Sequence, residues 1–313
     1  ICPANTFDNV RGNFPIGFLI WDTSKKQKIK SISVDVFNEK IEFLGKKSFS
    51  SNISNKQKLT ITQWITGYET NGEILGYTGN NGPDYQNNKF LKISSIQTKV
   101  VGGNLNNATK YKITAINLIQ ISIYLSVRLC IEATWINDRD QFLYPNYKWE
   151  EDLEFQSDCL AFTLFHGQNR ITSEEGINHW IPFSEAEVGA KNNFESHFMK
   201  DFIDGKIKPK ETKELLTERR SPKPIKFSKE AKDIFEAGRE LWKYYHKHDL
   251  ININASYYDI RKFFQGVDSK SGRMNNKSID ETYNKLIGNL RERMKILAKK
   301  IEPKIYEFGF LKK

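Results

Sequence analysis

Phe14-Pro15-Ile16-Gly17-Phe18-Leu19-Ile20-Trp21 is a continuous apolar run, closed by Asp22-Thr23-Ser24-Lys25-Lys26. A short unbroken apolar run bounded by turn residues reads as a strand buried on both faces. Downstream, Ser31 to Phe37 alternates, with Ile32, Val34 and Val36 on one side. That pattern reads as a strand buried on one face only. The two runs flank a polar, Lys-rich turn and predict an antiparallel hairpin. A strand buried on both faces needs neighbours, and the following hundred residues supply few. The chain also begins Ile-Cys-Pro rather than with Met. Both observations lead us to expect a fragment of a longer protein, with the rest of the sheet upstream.

Residues 41–112 are short strand-like pieces separated by Asn, Gly and Ser, with a long polar loop from Gly76 to Asn88. Asn106, Asn107 and Thr109 are candidate caps for an apolar helix over 110–134. That segment is interrupted by Asn117, Gln120, Ser122, Ser126, Arg128 and Glu132, too polar for a membrane span. Phe155 to Phe165 is a second buried segment, strand or helix, and a short helix is expected over 192–204. Residues 205–227 contain Pro209, Pro222 and Pro224 with an excess of Lys and Arg, the composition of a linker.

The last third carries the clearest periodicity. Ser228 caps a helix with Ala231, Ile234, Phe235, Gly238, Leu241, Trp242 and Tyr245 on one face. Asn254 is the candidate cap of a short helix holding Tyr257, Ile260, Arg261 and Phe264. Ser278 and Glu281 have the spacing of a capping box. They open a helix whose stripe runs from Tyr283 to Ile301 and which is expected to stop before Pro303.

Composition narrows the function. The 313 residues hold 48 Lys plus Arg against 38 Asp plus Glu, a net charge of +10. Such an excess biases a surface toward polyanions, because Lys and Arg release counterions when they neutralise phosphates. Three distant cysteines give neither a disulfide framework nor zinc spacing, and fit a reducing cytoplasm. The first residues lack the basic and apolar regions of a signal peptide, so none is expected, and the sequence holds no P-loop or Gly-x-Ser-x-Gly elbow. His246-Lys247-His248 could hold a metal, but His also suits a helix end for dipole reasons. His166 near Cys159 could suggest a thiol nucleophile, although Cys159 lies in an apolar run typical of a core thiol. Asp138, Asp140, Glu150, Glu151, Asp152 and Glu154 could serve a magnesium nuclease, or form a solvated, salt-bridged loop.

The string Asn13-Phe14-Pro15-Ile16-Gly17-Phe18-Leu19-Ile20-Trp21-Asp22 resembles a late strand of bacterial adenine-N6 DNA methyltransferases of type IIG-like restriction–modification systems. Trp135 to Pro145, Asp158 to Phe165 and the tail from Ile234 to Lys313 resemble their downstream segments. The resemblance implies an α+β chain. Residues 1–105 would be the β-rich end of a methyltransferase-like sheet, and 106–204 a mixed, target-recognition-like region. A linker over 205–227 and a helical subdomain over 228–313 would follow. The family's Asp/Asn-Pro-Pro-Tyr/Phe segment and Gly-rich cofactor loop are absent from the sequence. The resemblance therefore implies a DNA-binding portion without its own chemistry. S-adenosylmethionine would belong to the parent enzyme, and catalysis to a missing N-terminal half or partner subunit.

Double-stranded DNA is then the expected partner. Asn and Gln can read adenine edges with two bonds, and Arg can read guanine. The candidate readers are Asn80, Asn81, Gln86, Asn87, Asn88, Asn137, Arg139, Gln141, Gln168, Asn169 and Arg170. Each could instead be a turn residue bonding its own backbone. Phosphate contacts are expected from Arg261, Lys262, Arg291 and Arg293, and from the basic residues between Lys206 and Lys226. The alternative class is a protein-interaction module whose basic surface is incidental.

Overall fold

The computed structural model describes residues 1–10, 15–18, 20, 22–24, 31–50, 60–80, 94–97, 111–131, 142–207, 223–270 and 273–311. Near the N-terminus lie two small antiparallel sheets. β1 (Cys2–Pro3) pairs with β2 (Pro15–Ile16), and β3 (Ser31–Phe37) pairs with β4 (Phe43–Ser50). The β3–β4 turn is closed by Asn38, whose Oδ1 accepts from the backbone N–H groups of Lys40 and Glu42, both at 2.9 Å.

This corrects the expected hairpin. The partner of β3 is the following segment, and among its described residues the apolar run contributes only the two of β2. The run is also not buried where described: Phe18 is 80 % exposed and Ile20 fully so. A two-residue ladder in a two-stranded sheet covers neither face of the chain that continues from it. Pro15 has no N–H to extend the pairing.

After a short helix α1 (Ile61–Thr66), closed by a reciprocal Thr60–Gln63 capping box, comes a three-stranded antiparallel sheet. In it β5 (Gly76–Asn80) lies between β6 (Ser94–Gln97) and β7 (Lys112–Ile113). From there the described chain is mostly helical. α2 (Leu118–Leu129) starts later than predicted, after Asn117. The Asn117 amide is committed to backbone: Oδ1 accepts from Thr114 N–H, and Nδ2 donates to the carbonyls of Tyr68 and Lys112. The candidate caps Asn106, Asn107 and Thr109 lie outside the described residues.

The ambiguous segment at 155–165 is a helix, α3 (Leu153–Phe165), capped by Asp152. Every residue from Ser157 to Phe165 is buried, the signature of a helix packed on all sides. Against it lies α2, and small polar residues knit the two: Ser126 Oγ donates to Cys159 O at 3.1 Å and Thr163 Oγ1 to Ser122 O at 3.2 Å. Two short helices follow, α4 (Glu185–Val188) and α5 (Phe198–Ile203).

α6 (Lys229–Tyr245) begins at Ser228 as predicted and buries the predicted face. It passes α3 so closely at Gly238 that a Cβ there would sit 2.4 Å from Phe165 Cε1. α7 (Tyr257–Gln265) is capped by Ser256 in a box with Asp259. Asn254, the predicted cap, instead accepts from Glu195 N–H at 2.8 Å. α8 (Glu281–Glu307) is capped by Asp280, which accepts from Tyr283 N–H at 2.8 Å. Ser278, the predicted cap, donates to Phe264 O.

α8 also runs through Pro303 rather than stopping before it. Pro303 removes one helical N–H, a penalty usually near 3 kcal/mol in a helix interior. Here Ile305, Phe308 and Phe310 beyond it are buried. Phe310 packs edge-on to Trp64 at 5.3 Å, and Leu143 N–H donates to Phe310 O at 2.8 Å. Burial of three large side chains, about 1.5–3 kcal/mol each for such groups, outweighs the lost bond. One apolar core runs from Ile61 to Leu311 and takes in residues on both sides of the expected linker, of which 208–222 lie outside the described residues.

Candidate nucleic-acid interface

α3 ends at Phe165, and its final carbonyls need donors. Asn169 supplies them: its Nδ2 donates to Thr163 O at 3.2 Å and Leu164 O at 3.1 Å, while its Oδ1 accepts from Ile171 N–H at 3.1 Å. Asn169 is 2 % exposed. As an adenine reader it is corrected to a cap, its amide fully engaged inside the protein. Gln168 is half-buried and Arg170 exposed. Gln168 N–H donates to His166 Nδ1 at 3.1 Å. A neutral His166 ring therefore carries its proton on Nε2. Burial, with Arg261 adding to it, pushes the His166 pKa down to about 4, so the ring is neutral near pH 7.

This turn opens onto a cleft of about 320 Å³ between the end of α3, α7 and α8. Apolar side chains, among them Leu129, Phe162, Phe165 and Met294, form its floor. His166, Tyr257, Arg261, Arg291 and Lys295 form its polar wall. Arg261 lies over the Tyr257 ring at 5.4 Å, and its Nη1 donates to Gly167 O at 2.9 Å. Among the described residues, neither Arg261 nor Arg291 pairs with a carboxylate. The neighbouring candidates do: Lys262 binds Glu174 at 2.7 Å and Arg293 reaches Asp233 at 3.4 Å. Lys295 pairs with Glu292 at 2.7 Å, in a well exposed position.

Of the expected phosphate-binding residues, then, Arg261 and Arg291 come together, while Lys262 and Arg293 are neutralised by distant acids. Lys206 is likewise held by Asp201 and Asp204. Asn80 ends β5. Asn81, Gln86, Asn87, Asn88, Asn137, Arg139 and Gln141 lie outside the described residues, as do Asp138, Asp140 and the basic stretch 208–222. His166, Tyr257 and Lys295 were not among the predicted DNA-binding residues. The available signals were the i,i+4 spacings of Arg291 with Lys295 on α8 and of Tyr257 with Arg261 on α7, each of which puts the pair on one face of its helix.

The other chemistries find little support among the described residues. No group of three His, Cys, Asp or Glu there could hold a metal. Glu154, Asp158 and Glu230 do converge, but on Lys300 Nζ at 2.7, 3.0 and 3.2 Å, so an ammonium already fills the centre. His248 Nδ1 contacts Tyr244 O, whereas His246 is buried beside Phe194, its pKa lowered by burial. Burial pushes the Cys159 thiol well up, away from a reactive thiolate. No helix there is long and apolar enough to cross a membrane. Comparison of the chain with protein-family models, curated proteins and solved structures found no match.

Proposed function

We propose that this chain is the DNA-binding, target-recognition portion of a cytoplasmic adenine-specific DNA methyltransferase. The observation that carries the reading is the cleft in which, among the described residues, Arg261 and Arg291 stand without carboxylate partners, with the exposed Arg170 and the half-buried Gln168 in the turn that follows α3. Unpaired guanidinium groups are what phosphate contact requires, and Arg and Gln are side chains suited to base edges. Neither this cleft nor the larger N-terminal cavity is built on a glycine-rich turn between a strand and a helix. S-adenosylmethionine and the methyl-transfer step therefore belong, in this reading, to a catalytic half or partner subunit.

That N-terminal cavity, about 700 Å³, is lined by Phe18, Ile20, Ile32, Val34 and Ile41. Its exposed apolar residues favour a second role as a protein contact, and in the methyltransferase reading that contact is with the catalytic half. The test is a salt titration of binding to a mixed pool of duplexes, with sequencing of the bound fraction. Steep salt dependence with enrichment of one short sequence is the expected result. Salt-sensitive binding without enrichment would remove target recognition, and absence of binding at low salt would leave the interaction module.

A further inference from the structure

The cleft has a more specific chemistry than a generally basic surface. Two guanidinium groups line it, Arg261 and Arg291, and among the described residues neither is paired with a carboxylate. Arg261 is held in place by the Tyr257 ring and by Gly167 O, and its Nε–H is buried without a partner. His166 stacks on Phe162 at 4.9 Å, which fixes the ring plane. With Nδ1 occupied by Gln168 N–H, Nε2 is the nitrogen left to donate. The end of α3 would ordinarily repel an anion, because its carbonyls carry partial negative charge. Here the carbonyls of Thr163, Leu164 and Gly167 already accept from Asn169 and Arg261, so that charge is met. The nearest carboxylate on α8, Glu292, is paired with Lys295.

We infer that this cleft seats one phosphate group, clamped by the Arg261 and Arg291 guanidinium groups with His166 Nε2–H as a neutral third donor. The phosphate could come from a DNA backbone or from a free nucleotide. Only the first source rests on the DNA-binding reading above.

The experiment compares wild type with R291A, a change at an exposed position, and with K232A, which removes an exposed cation on α6. Duplex binding is measured across a salt series. Separately, the His166 ring and Arg261 Nε–H resonances are followed as inorganic phosphate or AMP replaces chloride at constant ionic strength. A salt slope lowered by about one in R291A but not in K232A supports the seat and a backbone source. No duplex binding, with phosphate and AMP shifts that R291A abolishes, supports the seat with a free source and removes the DNA reading. Duplex binding with equal slopes for R291A and K232A, and no phosphate shift, overturns the seat while leaving DNA binding intact. Absence of every signal overturns both.

Discussion

Replacing Gly238 by Ala tests the packing that builds the core and the cleft floor together. The added Cβ would lie 2.4, 2.8 and 3.1 Å from Phe165 Cε1, Cζ and Cδ1, where carbon atoms in contact normally sit about 3.5–4.0 Å apart. The ring would have to retreat by roughly 1 Å on that comparison. Phe235, Trp242, Tyr257 and Phe183 crowd it at centroid distances of 5.4 to 6.2 Å, so the ring can retreat only by disturbing the cleft floor it helps to form. Overpacking a filled core costs about 1–3 kcal/mol. Against it stands the better helix propensity of Ala, worth about 1 kcal/mol. A net loss of up to about 2 kcal/mol is expected in urea unfolding, followed by the fluorescence of Trp242 and its neighbours. Gly288→Ala is the control. It lies within α8 with nothing inside 4 Å of the new Cβ, so propensity alone acts and stability rises by up to about 1 kcal/mol. Opposite signs for the two variants are the prediction. A Gly238→Ala protein as stable as wild type, with Gly288→Ala behaving the same way, would refute the close approach of α6 to α3.

Three further outcomes follow from the polar interior. Lys300→Met leaves Asp158, 2 % exposed, charged without its ammonium; a loss of about 2–4 kcal/mol at neutral pH is expected, discounted from a fully buried pair because Lys300 is partly exposed. Burial already raises the Asp158 pKa, so this loss shrinks as the pH falls and the carboxyl takes up a proton, and an equal loss at about pH 5 and 8 would count against it. For His166 the unfolded chain binds a proton near the ordinary 6.5 and the folded one only at about 4; stability therefore drains as pH falls across that window, by up to about 3 kcal/mol. His166→Gln should flatten that slope in unfolding measured from about pH 7 to 4, while His179 and His246, whose pKa values burial also lowers, continue to contribute in the same direction. Asn169→Ala strips donors from Thr163 O and Leu164 O and should cost about 2–3 kcal/mol, whereas a base-reading Asn169 would instead alter sequence preference at unchanged stability.

The elements that could be read from sequence are those whose burial is one-sided. α6 and α8 present apolar residues at helical spacing against a polar face, and both were found with the predicted stripes. α3 is buried on every side, so its apolar residues carry no period to separate strand from helix. The 14–21 run fails for the opposite reason. A run of large apolar residues reads as buried only if something covers it, and Phe18 and Ile20 are uncovered among the described residues. At the cleft, Arg261, Lys262, Arg291 and Arg293 look alike in sequence. What separates them is acids 88 and 60 positions away, Glu174 and Asp233, that reach Lys262 and Arg293 but not the other two. Asn169 needed a still longer chain of inference, since its capping role follows only once Phe165 is known to end a helix.

The positive cleft has a simple origin in the way acids are distributed along α3. Asp152, Glu154 and Asp158 all fall in its first half, where the helix dipole also favours them. The start of α3 lies against the end of α8, so these acids meet Lys300 and Lys304. The two helices run in opposite directions, and the end of α3 meets α8 at Arg291 and Lys295. There α3 offers Phe162, Phe165 and His166 instead of a carboxylate. Helix α8 thus carries cations along its length, neutralised by α3 at one end and left unneutralised by it at the other. An acid placed near the end of α3, by Leu129→Glu from the cleft floor or by His166→Glu at the turn, would remove the asymmetry by supplying Arg261 and Arg291 with a partner of their own. The potential that would draw in a phosphate therefore depends less on the chain's overall excess of positive charge than on the seven apolar or uncharged residues from Cys159 to Phe165. These bring the cationic end of α8 against a surface with no acid to oppose it.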